Sequence, residues 1–139
     1  MKTINTHSAL IYVMVVVAAA DGSMSDREMR TIGELIKTLP VFRDFEDHYL
    51  VPISQQCAAI LREPEGFDGV LGLVKEALPP ILRETAYMLA LEVALTDSRV
   101  MLEEIRILEI IRRTLGLDRL VAAALERGAR ARYQIAAQQ

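Results

Sequence analysis

A chain of 139 residues, slightly over half of them apolar, is long enough to bury a sizeable core and makes one domain, 1–139, the natural count. Trp is absent and the apolar residues are mostly Leu, Ile, Val, Ala and Met, which argues against a sandwich built on aromatic pairs and for packed helices. Cys57 is alone, so an intrachain disulfide is excluded and a reducing cytoplasm fits; the net charge of −3 gives no overall pull toward nucleic acid.

The chain opens with an apolar run from Ala9 to Ala20. With Thr6 or Ser8 as a cap it reads as a helix, apolar on almost every face and therefore central to the fold. Its β-branched valines favour a strand, but the length of the run and the Ala18-Ala19-Ala20 ending favour helix. The run is too short to span a bilayer, which needs about twenty apolar residues, and no secretory context surrounds it. The expectation is a protein without a membrane span. Asp21-Gly22 breaks the helix, since Gly accepts a positive φ at a helix end.

Ser25 caps the second helix, with Glu28 three residues on in capping-box register. Met29, Ile32, Leu35, Ile36 and Leu39 form its apolar stripe, and Pro40 ends it. Arg43 to Leu50 reads as a short helix that Val51-Pro52 disrupts, because the residue before a proline is pushed off helical geometry. Helix resumes from Ile53 to Leu61, a loop covers Glu63 to Gly66, and a further helix runs from Phe67 to Leu78. Pro79-Pro80 is a boundary. Ile81 to Thr96 is a second apolar helix, Met101 to Leu115 a second amphipathic one ending at Gly116, and Asp118 caps a last helix through about Arg127.

The later helices repeat the earlier ones. Moving seventy-six residues along takes Asp21 to Asp97 and Glu28 to Glu104, each pair again lying between an apolar run and an amphipathic segment. The same shift carries Met29, Ile32, Leu35 and Leu39 onto the apolar residues Ile105, Leu108, Ile111 and Leu115. The expected fold is all-α: a single domain of about seven helices, with two pseudo-symmetric helix-hairpin halves near 6–39 and 81–115.

Each Glu stands four residues before an apolar stripe position, Ile32 or Leu108, and so on the core-facing side of its helix. If the halves pack as a pair, Asp21, Glu28, Asp97 and Glu104 converge, and four carboxylates together must bind a cation, share protons or pair with Arg. All-oxygen ligands suit Ca²⁺ or Mg²⁺. The alternative is that the acids only cap and form ion pairs. Ser25 supports that alternative for Glu28, whereas Met101 occupies the matching place before Glu104 and cannot cap, leaving Asp97 or Ser98 for that role. An EF-hand is rejected: Asp21 to Glu28 matches the second half of that calcium loop, but Val17 and Ala19 stand where the opening ligands belong.

No catalytic constellation is visible, and the expected function is non-enzymatic. His7 and His48 lack zinc-like partners and read as surface residues, Cys57 reads as a helix core residue, and Gly69-Val70-Leu71-Gly72 is too short and apolar for phosphate binding. Bases outnumber acids from Arg99 onward, all as Arg, but they are interspersed with Glu and aromatic interleaving for base stacking is missing, so no nucleic-acid binding is expected.

The pattern Ala18-Ala19-Ala20-Asp21-Gly22-x-x-Ser25-x-x-Glu28, followed by a Leu/Ile stripe, resembles the TerB-like family of tellurite-resistance proteins. The second copy, ending in Leu115-Gly116-Leu117-Asp118, is similar to that family's second motif, although Thr96-Asp97-Ser98 replaces its frequent Ala-Asp-Gly. The resemblance covers nearly the whole chain and extends to the N-terminal region of the DjlA co-chaperone, without that protein's His-Pro-Asp motif. It implies an acidic, metal-binding site made from both loops and a part in bacterial tellurite and chemical-stress response. It also implies protein partners in assemblies near the inner membrane, with the chain cytoplasmic and peripheral to that membrane.

Overall fold

In a computed structural model the described residues are 3–20, 22, 24–96 and 102–136, and they form seven α-helices and three short 3-10 turns without a strand. The helices are α1 (Thr6–Ala18), α2 (Asp26–Thr38), α3 (Leu50–Leu61), α4 (Gly66–Ala77), α5 (Arg83–Ala94), α6 (Leu102–Leu115) and α7 (Arg119–Arg132). The all-α expectation holds.

Helix α1 is the centre. Every residue from Ser8 to Ala18 is buried, as its lack of a polar face requires. It packs against α2, α3, α4, α5 and α6. Its cap is Asn5, whose side chain accepts from the Ser8 N–H at 2.8 Å, rather than Thr6 or Ser8, and it ends at Ala18, two residues before the apolar run does. Gly22, with φ of 102°, takes the positive backbone angle expected of it.

The internal repeat is structural. Shifted by seventy-six residues, the span of α1 falls on α5 and the span of α2 on α6, to within a residue at each end. The contacts exchange in the same way: α1 touches α2, α5 and α6, while α5 touches α6, α1 and α2. Each amphipathic helix thus packs across both apolar helices, closing one core from two sides.

Three segments differ from the sequence expectation. Arg43–Leu50 is not a helix: 3-10 turns at Pro40–Phe42 and Asp47–Tyr49 flank an irregular stretch. Val51-Pro52 does not interrupt α3 but lies in its first turn, where the N–H that proline lacks has no intrahelical partner to lose. Helix α7 continues to Arg132, and Asp118 stands at its N-cap position without a side-chain capping bond.

Two glycines have clear physical reasons. A Cβ on Gly66 would lie 1.9 Å from the Ile60 carbonyl oxygen, so the tight α3–α4 corner admits no side chain. Gly116, with φ of 68°, closes α6 in a Schellman motif, the Leu117 N–H reaching the Arg112 carbonyl at 3.1 Å and the Gly116 N–H the Arg113 carbonyl at 3.1 Å.

Candidate functional site

The two glutamates are where the repeat predicts. Glu28 and Glu104 are both buried, on the inner sides of α2 and α6. Glu28 completes a capping box: its Oε1 accepts from the Ser25 N–H at 2.8 Å, and the Ser25 hydroxyl accepts from the Glu28 N–H at 3.1 Å. Asp21 and Asp97, the other two members of the expected site, lie outside the described residues, as do Ser98 and Met101, so the convergence of all four carboxylates is a matter for the proposal below.

The ends of both loops are described, and they cross. Thr96 Oγ1, next to Asp97 in sequence, lies 3.0 Å from Thr31 Oγ1 on α2, one turn beyond Glu28, and also hydrogen-bonds the Glu92 carbonyl at 3.1 Å. In the other half, Ala19, Ala20 and Gly22 share a depression with Ile107 of α6. Ile107 is the residue to which the seventy-six-residue shift carries Thr31, and Thr96 is the counterpart of Ala20. The described start of each loop therefore lies near the amphipathic helix of the opposite half.

The stripe of α6 is displaced from its expectation. Ile111 and Leu115 are buried, Leu108 is only part-buried, and Ile105 is 52% exposed. Leu108 packs against the core together with the part-buried Ile107 and Ile110, so Ile105 is the stripe member that the fold leaves out. At the position matching buried Ile36 of α2, α6 carries Arg112, which donates to the Leu117 carbonyl at 3.3 Å and to Glu109 at 3.1 Å.

A third buried acid was not apparent from the sequence. Glu92 lies in apolar α5 and receives the Tyr133 hydroxyl on Oε1 and the Arg132 Nε on Oε2 at 3.0 Å, both from the end of α7. Burial, followed by that bond, raises the Tyr133 pKa. One turn earlier the Tyr87 hydroxyl donates to Glu126 of α7 at 2.5 Å, and burial first, then this carboxylate, pushes the Tyr87 pKa up. A lone Glu within an apolar run is a signal for such pairing, but its partners lie some forty residues away and no local spacing reveals them.

Of the two histidines, His48 is exposed, as expected, and sits beside Tyr49. His7 is part-buried rather than a surface residue: it donates from Nε2 to the Val41 carbonyl at 2.9 Å and packs on Phe42 and Phe45. Cys57 is buried, and burial pushes its thiol up to about 12, which makes it unreactive near neutral pH. No helix among the described residues is long and apolar enough to cross a membrane.

An all-helical fold with two repeated helix hairpins, each placing a glutamate at the start of its amphipathic helix, defines the class. Residues 7–127 match the family described as tellurite resistance protein TerB, and the chain belongs to that family. No curated protein and no solved structure gives a significant match.

Proposed function

We propose that this TerB-family domain is a non-enzymatic divalent-cation binder, with Asp21 and Glu28 from the first loop and Asp97 and Glu104 from the second holding the ion. The observation that supports this reading is the crossed packing of the loop ends. The Thr96–Thr31 contact puts the start of the second loop beside the helix that carries Glu28. Glu28 and Glu104 are buried carboxylates in equivalent places of a pseudo-symmetric core. The donor set fits a hard cation: all candidate ligands are carboxylate oxygens, and the Ser25 N–H engages only one oxygen of Glu28. Ca²⁺ or Mg²⁺ would offset two of the four carboxylate charges and clamp the two halves together. In the cell the domain would serve a tellurite or general chemical-stress response through protein partners, cytoplasmic and peripheral to the inner membrane.

The test is titration calorimetry of chelator-stripped protein with Ca²⁺ and Mg²⁺ singly, beside the Asp21→Asn/Asp97→Asn double variant. Heat of binding in the wild type that the variant lacks supports the reading, whereas no heat with either ion removes it.

A second reading is favoured by one observation, the complete capping box at Ser25 and Glu28. In it the acids are architectural and the domain is a protein–protein interaction module. It predicts no ion binding and loss of stability alone on replacing Glu28.

A further inference from the structure

The last helix is joined to the molecule differently from the repeat. Helices α1, α2, α5 and α6 pack on one another without any part played by α7. Helix α7 packs on α5 and has no comparable contact with another helix among the described residues. Its buried positions are Ala122 and Ala129, two small side chains, while Leu125 is part-buried and Leu120 is 77% exposed. It therefore adds little of the apolar burial that ties an element to a core. Open clefts flank it on both sides. One of about 430 Å³ faces α6 and is lined by Leu108 and Glu126, and one of about 470 Å³ faces α2 and is lined by Thr31 and Tyr133.

Much of what holds α7 is polar. The Tyr87 hydroxyl donates to Glu126 at 2.5 Å, and Glu92 takes the Tyr133 hydroxyl together with the Arg132 Nε at 3.0 Å. Groups bonded in this way recover hydrogen bonds from water when the helix leaves, so each bond adds only a modest net stabilisation. The junction does not tie α7 down either. Helix α6 is closed by its own Schellman turn at Gly116 and by the Arg112 bond to the Leu117 carbonyl. Asp118 gives α7 no side-chain cap. Three residues, Gly116 to Asp118, thus connect a helix end that is already complete to α7.

We infer that α7 is a displaceable arm. It undocks from α5 as a unit while α1 to α6 stay folded, and it uncovers the α5 face that carries Tyr87 and Glu92. Elements with few buried apolar contacts open in this way at a lower free energy than the core. Native-state hydrogen exchange of the full chain, followed by NMR in low urea, tests the inference. The amides from Ala123 to Ala131 should share one opening free energy, lower than that of the α1 amides. Its dependence on urea should be much shallower, because undocking one helix exposes far less surface than global unfolding.

Two substitutions separate the arm from the core. Tyr133→Phe removes a bond that is broken whenever α7 opens, so it should speed exchange in α7 about tenfold. Ile32→Ala weakens a core that stays folded in the opened state, so it should speed exchange in α1 and leave α7 unchanged. The milder Ile32→Val serves the same purpose if the alanine variant does not fold. Three results would overturn the inference: α7 amides with the free energy and urea dependence of α1, α7 amides that open one by one from the end of the helix, or acceleration of α7 and α1 by the same factor on replacing Ile32.

Discussion

The two halves share a register and differ in what they do with it. In the first half, α1 is apolar from Ala9 to Ala18 and α2 buries Ile32, Leu35 and Ile36. In the second, α5 and α6 replace several of those apolar positions with polar ones. Tyr87 stands where α1 has Ile11, Glu92 where it has Val16, and Arg112 where α2 has Ile36. The first two substitutions hold α7, through Tyr87–Glu126 and Glu92 with Arg132 and Tyr133. The third closes the α6 terminus on Leu117. One copy therefore supplies core, and the other exchanges part of its core for attachment of an extra helix. What both copies retain is the buried glutamate at the start of the amphipathic helix, and its retention in both is the ground on which a shared site is proposed.

The largest expected difference between the halves is in packing. Ile32→Ala should cost about 2–5 kcal/mol, because Ile32 is fully buried and truncation leaves a cavity in the core. Leu108→Ala, at the matching but part-buried place on α6, should cost less than about 2 kcal/mol. Urea denaturation of both variants measures the pair, and equal losses would mean that the halves do not differ in packing as described.

A smaller effect concerns the tyrosines that hold α7. Tyr87 and Tyr133 are favoured in their neutral form when folded, by burial and then by their carboxylate partners. Their folded pKa values are raised, so the stabilisation is complete below the ordinary tyrosine value of about 10 and is lost as pH rises through the folded values. Stability should fall on the alkaline side of about pH 10, and the Tyr87→Phe/Tyr133→Phe double variant should show a shallower fall in pH-dependent melts. At neutral pH Tyr133→Phe alone should cost about 1–3 kcal/mol by leaving the buried Glu92 one donor short.

The smallest effect is at the cap. Ser25→Ala should cost about 1 kcal/mol, since it removes the acceptor for the Glu28 N–H while leaving the fold intact. Thermal melts of this variant give the capping contribution of the first half alone.

Much of the architecture was readable because the repeat gives α1 and α2 a second witness in α5 and α6. Ser25 with Glu28, the all-apolar run before Ala20, and Gly116 each specify a local geometry that the fold keeps. The corrections have local causes as well. Asn5 is as good a cap as Thr6 or Ser8, and composition does not choose among neighbours. The Val51-Pro52 pair signals a break only when Pro52 is in a helix interior, and it is in a first turn. Ile105 continues a stripe in sequence, yet burial depends on whether another element covers it, which spacing along one helix does not encode. Of the candidate site, the core-facing placement of Glu28 and Glu104 followed from periodicity. The pairing of Glu92 with Arg132 and Tyr133 did not, because it joins side chains far apart in the chain.

The most direct test of the shared-site account is a thermal melt of the chelator-stripped chain with and without Mg²⁺ or Ca²⁺, for the wild type, Glu28→Gln and Glu104→Gln. A cation bound only by the folded state stabilises it by about 2.7 kcal/mol at a hundred times its Kd. The account predicts a rise in Tm for the wild type that is reduced in both variants, since both halves contribute a ligand. A wild-type Tm indifferent to either ion, or a rise unaffected by replacing Glu104, would contradict it.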